Sequence, residues 1–240
     1  MKNSSKSLAF IFAAGLASSF AFAAIAADDK HKDHAKDGHK HVDGEKHGDK
    51  SDKTGKSDKK MAAAQVGKAA PAFTLKTTDG KDWSLSDAAG KIVVLQWVNP
   101  ECPVCQRVMK DGTVTEGMKG ATEASKDVVF VMINSSAARP SSLEGTAAYL
   151  KEHKMTAPAL LDNDGAVGQL YGAKTTPHIF VIDGKGVLRY QGAIDDSADG
   201  SGKGKTNYVT TAVQQIAGNE TVAPTETKPY GCGVKYAKKS

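Results

Sequence analysis

The feature that most restricts this chain is an apolar run, Ile92-Val93-Val94-Leu95-Gln96-Trp97-Val98, followed by Pro100 and then by Cys102-Pro103-Val104-Cys105. Valine and isoleucine dominate the run, and it lacks the polar alternation of a half-solvated strand. It therefore predicts a central strand covered on both faces. Such a strand needs layers above and below it, and residues 102–124 predict one helix of them, interrupted near Gly112 and Gly117.

The remaining pattern fills in the layers. Residues 128–133 (Val-Val-Phe-Val-Met-Ile) predict a second buried strand, and Ser141 or Ser142 can cap a helix reaching about His153. Residues 159–161 predict a short strand, and Asn163 or Asp164 precedes a small helix through Tyr171. Residues 179–182 and 187–190, joined by Asp183-Gly184-Lys185-Gly186, read as an antiparallel hairpin, and residues 207–217 as a last amphipathic helix. Ahead of the central run, residues 72–75 and 81–85 flank Thr78-Asp79-Gly80, an N-terminal β-hairpin extension, and Ser86 can cap a short turn ending at Gly90. The order implies an α/β domain over residues 65–220, with a central mixed sheet flanked by helices, and an irregular tail over 221–240 that carries Cys232.

Residues 1–62 have another texture. Lys2 and Lys6 precede an apolar, Ala-rich stretch over 8–27, and Ala24-Ile25-Ala26 supplies a small-x-small cleavage pattern, so residues 1–27 read as a signal peptide. The competing reading is an uncleaved anchor, which Ser18, Ser19 and the many alanines make weakly hydrophobic. Residues 28–62 are built largely of Lys, Asp, His and Gly and read as a disordered tether, too poor in apolar groups to offset the entropy of ordering. His31, His34, His39, His41 and His47 lie in it; they are either part of a solvated spacer or weak ligands for a divalent metal ion. The formal net charge of +5 is mostly carried by these segments, which leaves no basic stripe for nucleic acid. The expected product is an exported, periplasmic protein with no membrane span after cleavage, where disulfides can form.

Two thiols separated by two residues at the start of a helix can close a small disulfide ring, and the helix N-terminus favours the thiolate of the first. The alternatives at Cys102 and Cys105 are a structural disulfide or half of a zinc site, although a second C-x-x-C is absent from the folded region. Thr175-Thr176-Pro177-His178 stands directly before a predicted strand, a setting that suits either a cis-proline beside the sulfurs or a plain trans proline leading the strand. Cys232 is the odd thiol: a resolving or relay residue, or an inert or intermolecular one. Gly231 and Gly233 suggest a segment flexible enough to reach Cys102.

The strand-to-Cys102-Pro103-Val104-Cys105 segment, Thr176-Pro177-His178, Val181-Ile182-Asp183-Gly184-Lys185-Gly186 and the ending Lys228-Pro229-Tyr230-Gly231-Cys232 resemble the thioredoxin-like superfamily, in its exported redoxin branch of the alkyl hydroperoxide reductase and thiol-specific antioxidant type. The resemblance implies a thioredoxin fold, Cys102 as attacking thiol, Cys105 as resolving thiol and Pro177 as cis-proline. It also implies protein or small-molecule thiols and disulfides as partners, and no cofactor. It departs from a peroxiredoxin, in which a hydroxyl residue and a proline stand three and seven residues before the peroxidatic cysteine; Asn99 and Leu95 hold those places before Cys102. Glu101 replaces the tryptophan that thioredoxin has before its first cysteine, and its carboxylate would oppose ionisation unless Arg107 or His178 balanced it. Three activities follow as expectations: thiol–disulfide exchange, a thiol-dependent peroxidase acting on peroxides, or a copper- or zinc-binding module using Cys102, Cys105 and His178.

Overall fold

The computed structural model describes residues 63–238. The signal-peptide and tether readings, with His31, His34, His39, His41 and His47, lie outside the described residues.

The apolar run forms β3 (Ile92–Trp97), and all six of its residues are buried. Its period-two side chains divide between two cores. Val94 and Val98 face one core, with Cys105, Val108 and Met109 of α1 (Pro103–Lys110), Val114 and Ala121 of α2 (Thr113–Ala124), and Val209, Ala212 and Val213 of α6 (Tyr208–Ala217). Val93, Leu95 and Trp97 face the other, with Phe73, Val167 and Tyr171, the last two from α5 (Ala166–Tyr171). Trp97, fully buried, stacks against Tyr171 and Phe180 and donates its indole N–H to Ser135 Oγ at 2.9 Å. Burying one such side chain is worth about 1.5–3 kcal/mol, so this strand anchors the fold.

The strands β1 (Thr74–Thr77), β2 (Asp82–Ser84), β4 (Val128–Asn134), β5 (Ala159–Leu161), β7 (His178–Ile182) and β8 (Leu188–Gly192) complete a seven-stranded sheet in the order β2-β1-β5-β4-β3-β7-β8. β3 runs parallel to β4 and antiparallel to β7, and the hairpin β1–β2 extends the sheet antiparallel beyond β5. This is a thioredoxin-like fold, a mixed sheet with helices on both faces. A 3-10 turn (Leu85–Ala88) follows β2, with Ser84 rather than Ser86 as its cap.

The expected helix over 102–124 divides once, at Gly112, whose left-handed φ of 84° starts α2; Gly117 lies buried inside α2 instead of breaking it. The helix expected up to His153 begins at Pro140 and is two short pieces, α3 (Pro140–Glu144) and α4 (Thr146–Glu152), parted at Gly145.

The C-terminus is held more closely than its lack of regular structure suggests. After α6 the chain is irregular apart from a bridge and a two-residue strand, yet it is strapped to the domain along its length. Thr227 N–H donates to Gln191 O at 3.1 Å, Thr227 Oγ1 accepts from Ala193 N–H at 2.9 Å, and Tyr230, buried, donates its hydroxyl to Asp195. Farther on, β9 (Cys232–Gly233) pairs antiparallel with β6 (Thr175–Thr176), and Tyr236 donates to Ala173 O at 2.8 Å.

Candidate active site

β3 delivers the chain to the carboxyl edge of the sheet, where residues 98–102 turn it into α1. Asn99, buried in that loop, holds the turn. Its Oδ1 accepts from Glu101 N–H at 2.7 Å and Ser142 Oγ at 2.9 Å, its Nδ2 donates to Ser136 Oγ at 3.2 Å, and its backbone carbonyl accepts from Cys102 N–H at 3.0 Å. Cys102 is thereby the N-cap of α1, with Pro103 at the first helical position, where the missing N–H costs nothing. Cys105 lies one turn inside, and its carbonyl accepts from the buried Tyr149 hydroxyl at 3.0 Å.

The opposite wall is the segment leading into β7. The Thr176–Pro177 peptide is cis. The Cys102 thiol donates to the Thr176 carbonyl oxygen at 3.1 Å. Thr176 is also the register partner of Cys232 on β9, and its Oγ1 donates to the Cys232 carbonyl at 3.4 Å. Cys102, Cys105, Pro177 and Cys232 are thus brought to one place, and all three cysteines are free thiols. Cys102 is 1% exposed and Cys105 fully buried, while Cys232 is partly accessible.

The three sulfurs differ in their hold on a proton. The Cys105 thiol donates towards Cys102 and, with smaller help from the Cys232 thiol and the Cys105 backbone N–H, keeps Cys102 well below the ordinary thiol range against the opposing effect of burial. The Thr176 side chain adds a smaller lowering effect, while its carbonyl accepts only from the protonated thiol. Burial, then the neighbouring Cys102 sulfur, pushes Cys105 well up, and the same two causes in the same order raise Cys232. One sulfur ionises and two retain their protons, the division that thiol exchange requires.

The cations proposed to balance Glu101 do not act on Cys102. Arg107 pairs with Asp111 at 2.5 Å, and Glu101 is exposed and accepts from Ser141 Oγ at 2.6 Å. His178 is brought down to about 4 by burial, with Lys174 adding to the effect, and its Nδ1 accepts from Lys174 N–H at 3.1 Å. His178 therefore does not join the sulfurs as a ligand: among the described residues, no group of three or more His, Cys, Asp or Glu is placed to hold a metal ion. Sequence reasoning missed Asn99 and Gly231. An asparagine just before proline at a strand's end was the available signal for the first. The Gly-Cys-Gly triplet was the signal for the second, read there as flexibility alone.

Residues 66–191 match the model of the AhpC/TSA family. The chain is 30% identical over 131 residues, covering 55% of its own length and 73% of the relative's, to the thioredoxin-like protein YneN of Bacillus subtilis (strain 168). It is 29% identical over 142 residues, 58% and 71% of the two lengths, to the thiol:disulfide interchange protein DsbE of Tatumella citrea. Among solved structures, a hypothetical protein from Sinorhizobium meliloti 1021 superposes with a TM-score of 0.63 at 25% identity, covering 74% of this chain and 97% of that one.

Proposed function

The chain belongs to the AhpC/TSA family, and we propose that it is a thiol–disulfide oxidoreductase of the bacterial envelope working through Cys102 and Cys105. The observation that carries this reading is the pairing of one acidic sulfur, Cys102 at the N-terminus of α1, with a proton-bearing neighbour, Cys105, beside the Thr176 carbonyl. The Cys102 thiolate attacks a substrate disulfide, forms a mixed disulfide and expels one substrate thiolate, which takes up a proton. Cys105 then gives up its proton and attacks Cys102 Sγ. The second substrate thiolate leaves, and the protein retains the Cys102–Cys105 disulfide. Two electrons pass to the substrate, and the reverse sequence oxidises a dithiol. Pro177 follows the carbonyl that Cys102 uses and has no N–H of its own to offer the sulfurs.

The name of the DsbE relative, a thiol:disulfide interchange protein, supports thiol–disulfide chemistry, and that of YneN a thioredoxin-like protein. Export is supported by Lys2, Lys6 and the apolar residues 8–27, and residues 28–62 would act as a tether to a domain beginning near residue 65. Reduction of insulin by the reduced protein tests the reading. Cys102→Ser is expected to abolish it, and full activity in that variant would refute the assignment.

A further inference from the structure

The tertiary arrangement buries the proposed redox pair more deeply than the third thiol. Cys102 is 1% exposed and Cys105 fully buried, so a disulfide between them would offer less surface to an external thiol than Cys232 does. Cys232 is the most accessible of the three sulfurs and belongs to a strand rather than a loose end. Its position is set from both sides: Tyr230 bonds to Asp195 before it, and Val234 N–H donates to Lys174 O at 3.1 Å after it. Gly231 makes the approach possible. Its φ is +119°, and a Cβ there would lie 2.3 Å from the Thr176 carbonyl oxygen. That same oxygen accepts the Cys102 thiol, so β9 is docked directly on the wall of the site. Cys232 and Cys102 are also near enough for each to shift the other's hold on its proton.

We infer that Cys232 is a third redox thiol, which exchanges with the Cys102–Cys105 disulfide to form Cys102–Cys232 and so presents the buried pair to thiols in solution. The inference rests on the reading of Cys102 as the exchanging sulfur. In the oxidised protein the Cys232 thiol gives up its proton and attacks Cys102 Sγ. The Cys102–Cys105 bond breaks, the Cys102–Cys232 bond forms, and Cys105 leaves as a thiolate that takes up the proton, with no net change in oxidation. An external thiolate then attacks the accessible Cys232 Sγ and displaces Cys102, the most acidic of the three thiols and the best leaving group. A second external thiol attacks the mixed disulfide on Cys232. The external pair departs as a disulfide, and the protein has gained two electrons.

Glutathione serves as the probe. The reduced full-length Cys105→Ser variant, treated with oxidised glutathione and mapped by mass spectrometry, is expected to lose two hydrogens and yield a Cys102–Cys232 peptide. The Cys105→Ser/Cys232→Ser double variant is expected to stop at a glutathione adduct on Cys102. If Cys105→Ser also stops at that adduct, Cys232 is not a redox thiol and the inference is overturned. If the double variant carries no adduct, the assignment of Cys102 itself has failed. A second measurement avoids altering the pair: oxidised wild type is expected to be reduced by glutathione about tenfold faster than oxidised Cys232→Ser, and equal rates overturn the inference.

Discussion

Cys102 and Thr176 stand 74 residues apart in the chain, and the thiol of one donates to the carbonyl oxygen of the other at 3.1 Å. The contact joins the N-terminus of α1 to the segment that leads into β7, and the C-terminal strap closes over the same point by pairing Cys232 with Thr176.

Replacing Gly231 by alanine should loosen the strap. The left-handed φ of +119° disfavours any side chain, which costs more than about 1 kcal/mol, and the new Cβ would also overlap the Thr176 carbonyl carbon at 2.9 Å. Urea denaturation should show Gly231→Ala less stable than wild type by roughly 2 kcal/mol. Labelling with a bulky maleimide should find Cys232 more reactive. Unchanged stability and labelling would mean that β9 is not docked as described.

Cys105 sets the acidity of Cys102, since its donated hydrogen bond is the largest cause of the lowered value. The far-ultraviolet thiolate absorbance of reduced wild type should therefore persist to about pH 6, where an ordinary thiol of pKa about 8.5 is only about 0.3% ionised. In Cys105→Ala the same absorbance should fade at distinctly higher pH. An identical titration in the two proteins would assign the effect to the Cys232 thiol and the helix N-terminus.

Burial of His178 makes stability depend on mild acid. Its folded value is near 4 against 6.5 for the free group, so the unfolded chain binds the extra proton first as pH falls. Stability is complete above 6.5 and is lost progressively between 6.5 and 4, by about 3 kcal/mol in all. His178→Asn can still accept from the Lys174 N–H but cannot take a proton in this range. Denaturation midpoints measured across that window should slope less in the variant than in wild type.

Peroxide should react slowly. Asn99 stands where a peroxiredoxin carries its orienting hydroxyl, and its side chain is committed to Ser136, Glu101 and Ser142. Stopped-flow oxidation of reduced protein by hydrogen peroxide should match a free thiolate of similar acidity to within about tenfold. A rate several orders higher would restore the peroxidase reading.

Much of the fold was legible because long apolar runs declare buried strands whatever surrounds them. The run over residues 92–98 and the run over 128–133 became β3 and β4, and the Asp183-Gly184-Lys185-Gly186 turn lies between β7 and β8. The C-terminal strap was illegible for the converse reason. Residues 221–238 carry no apolar run and no period, and they owe their order to partners distant in the chain: Tyr190 and Thr227, Asp195 and Tyr230, Lys174 and Val234.

The cysteine pair follows the same division. That Cys102 and Cys105 open a helix after a buried strand follows from spacing, proline placement and hydrophobic run, all local properties of the chain. That Cys232 belongs with them depends on the folded chain. Its pairing with Thr176 is a backbone hydrogen-bond register between segments 56 residues apart, made possible by a glycine that lets two main chains touch. No local pattern encodes such a contact, because its partner exists only once the sheet has formed.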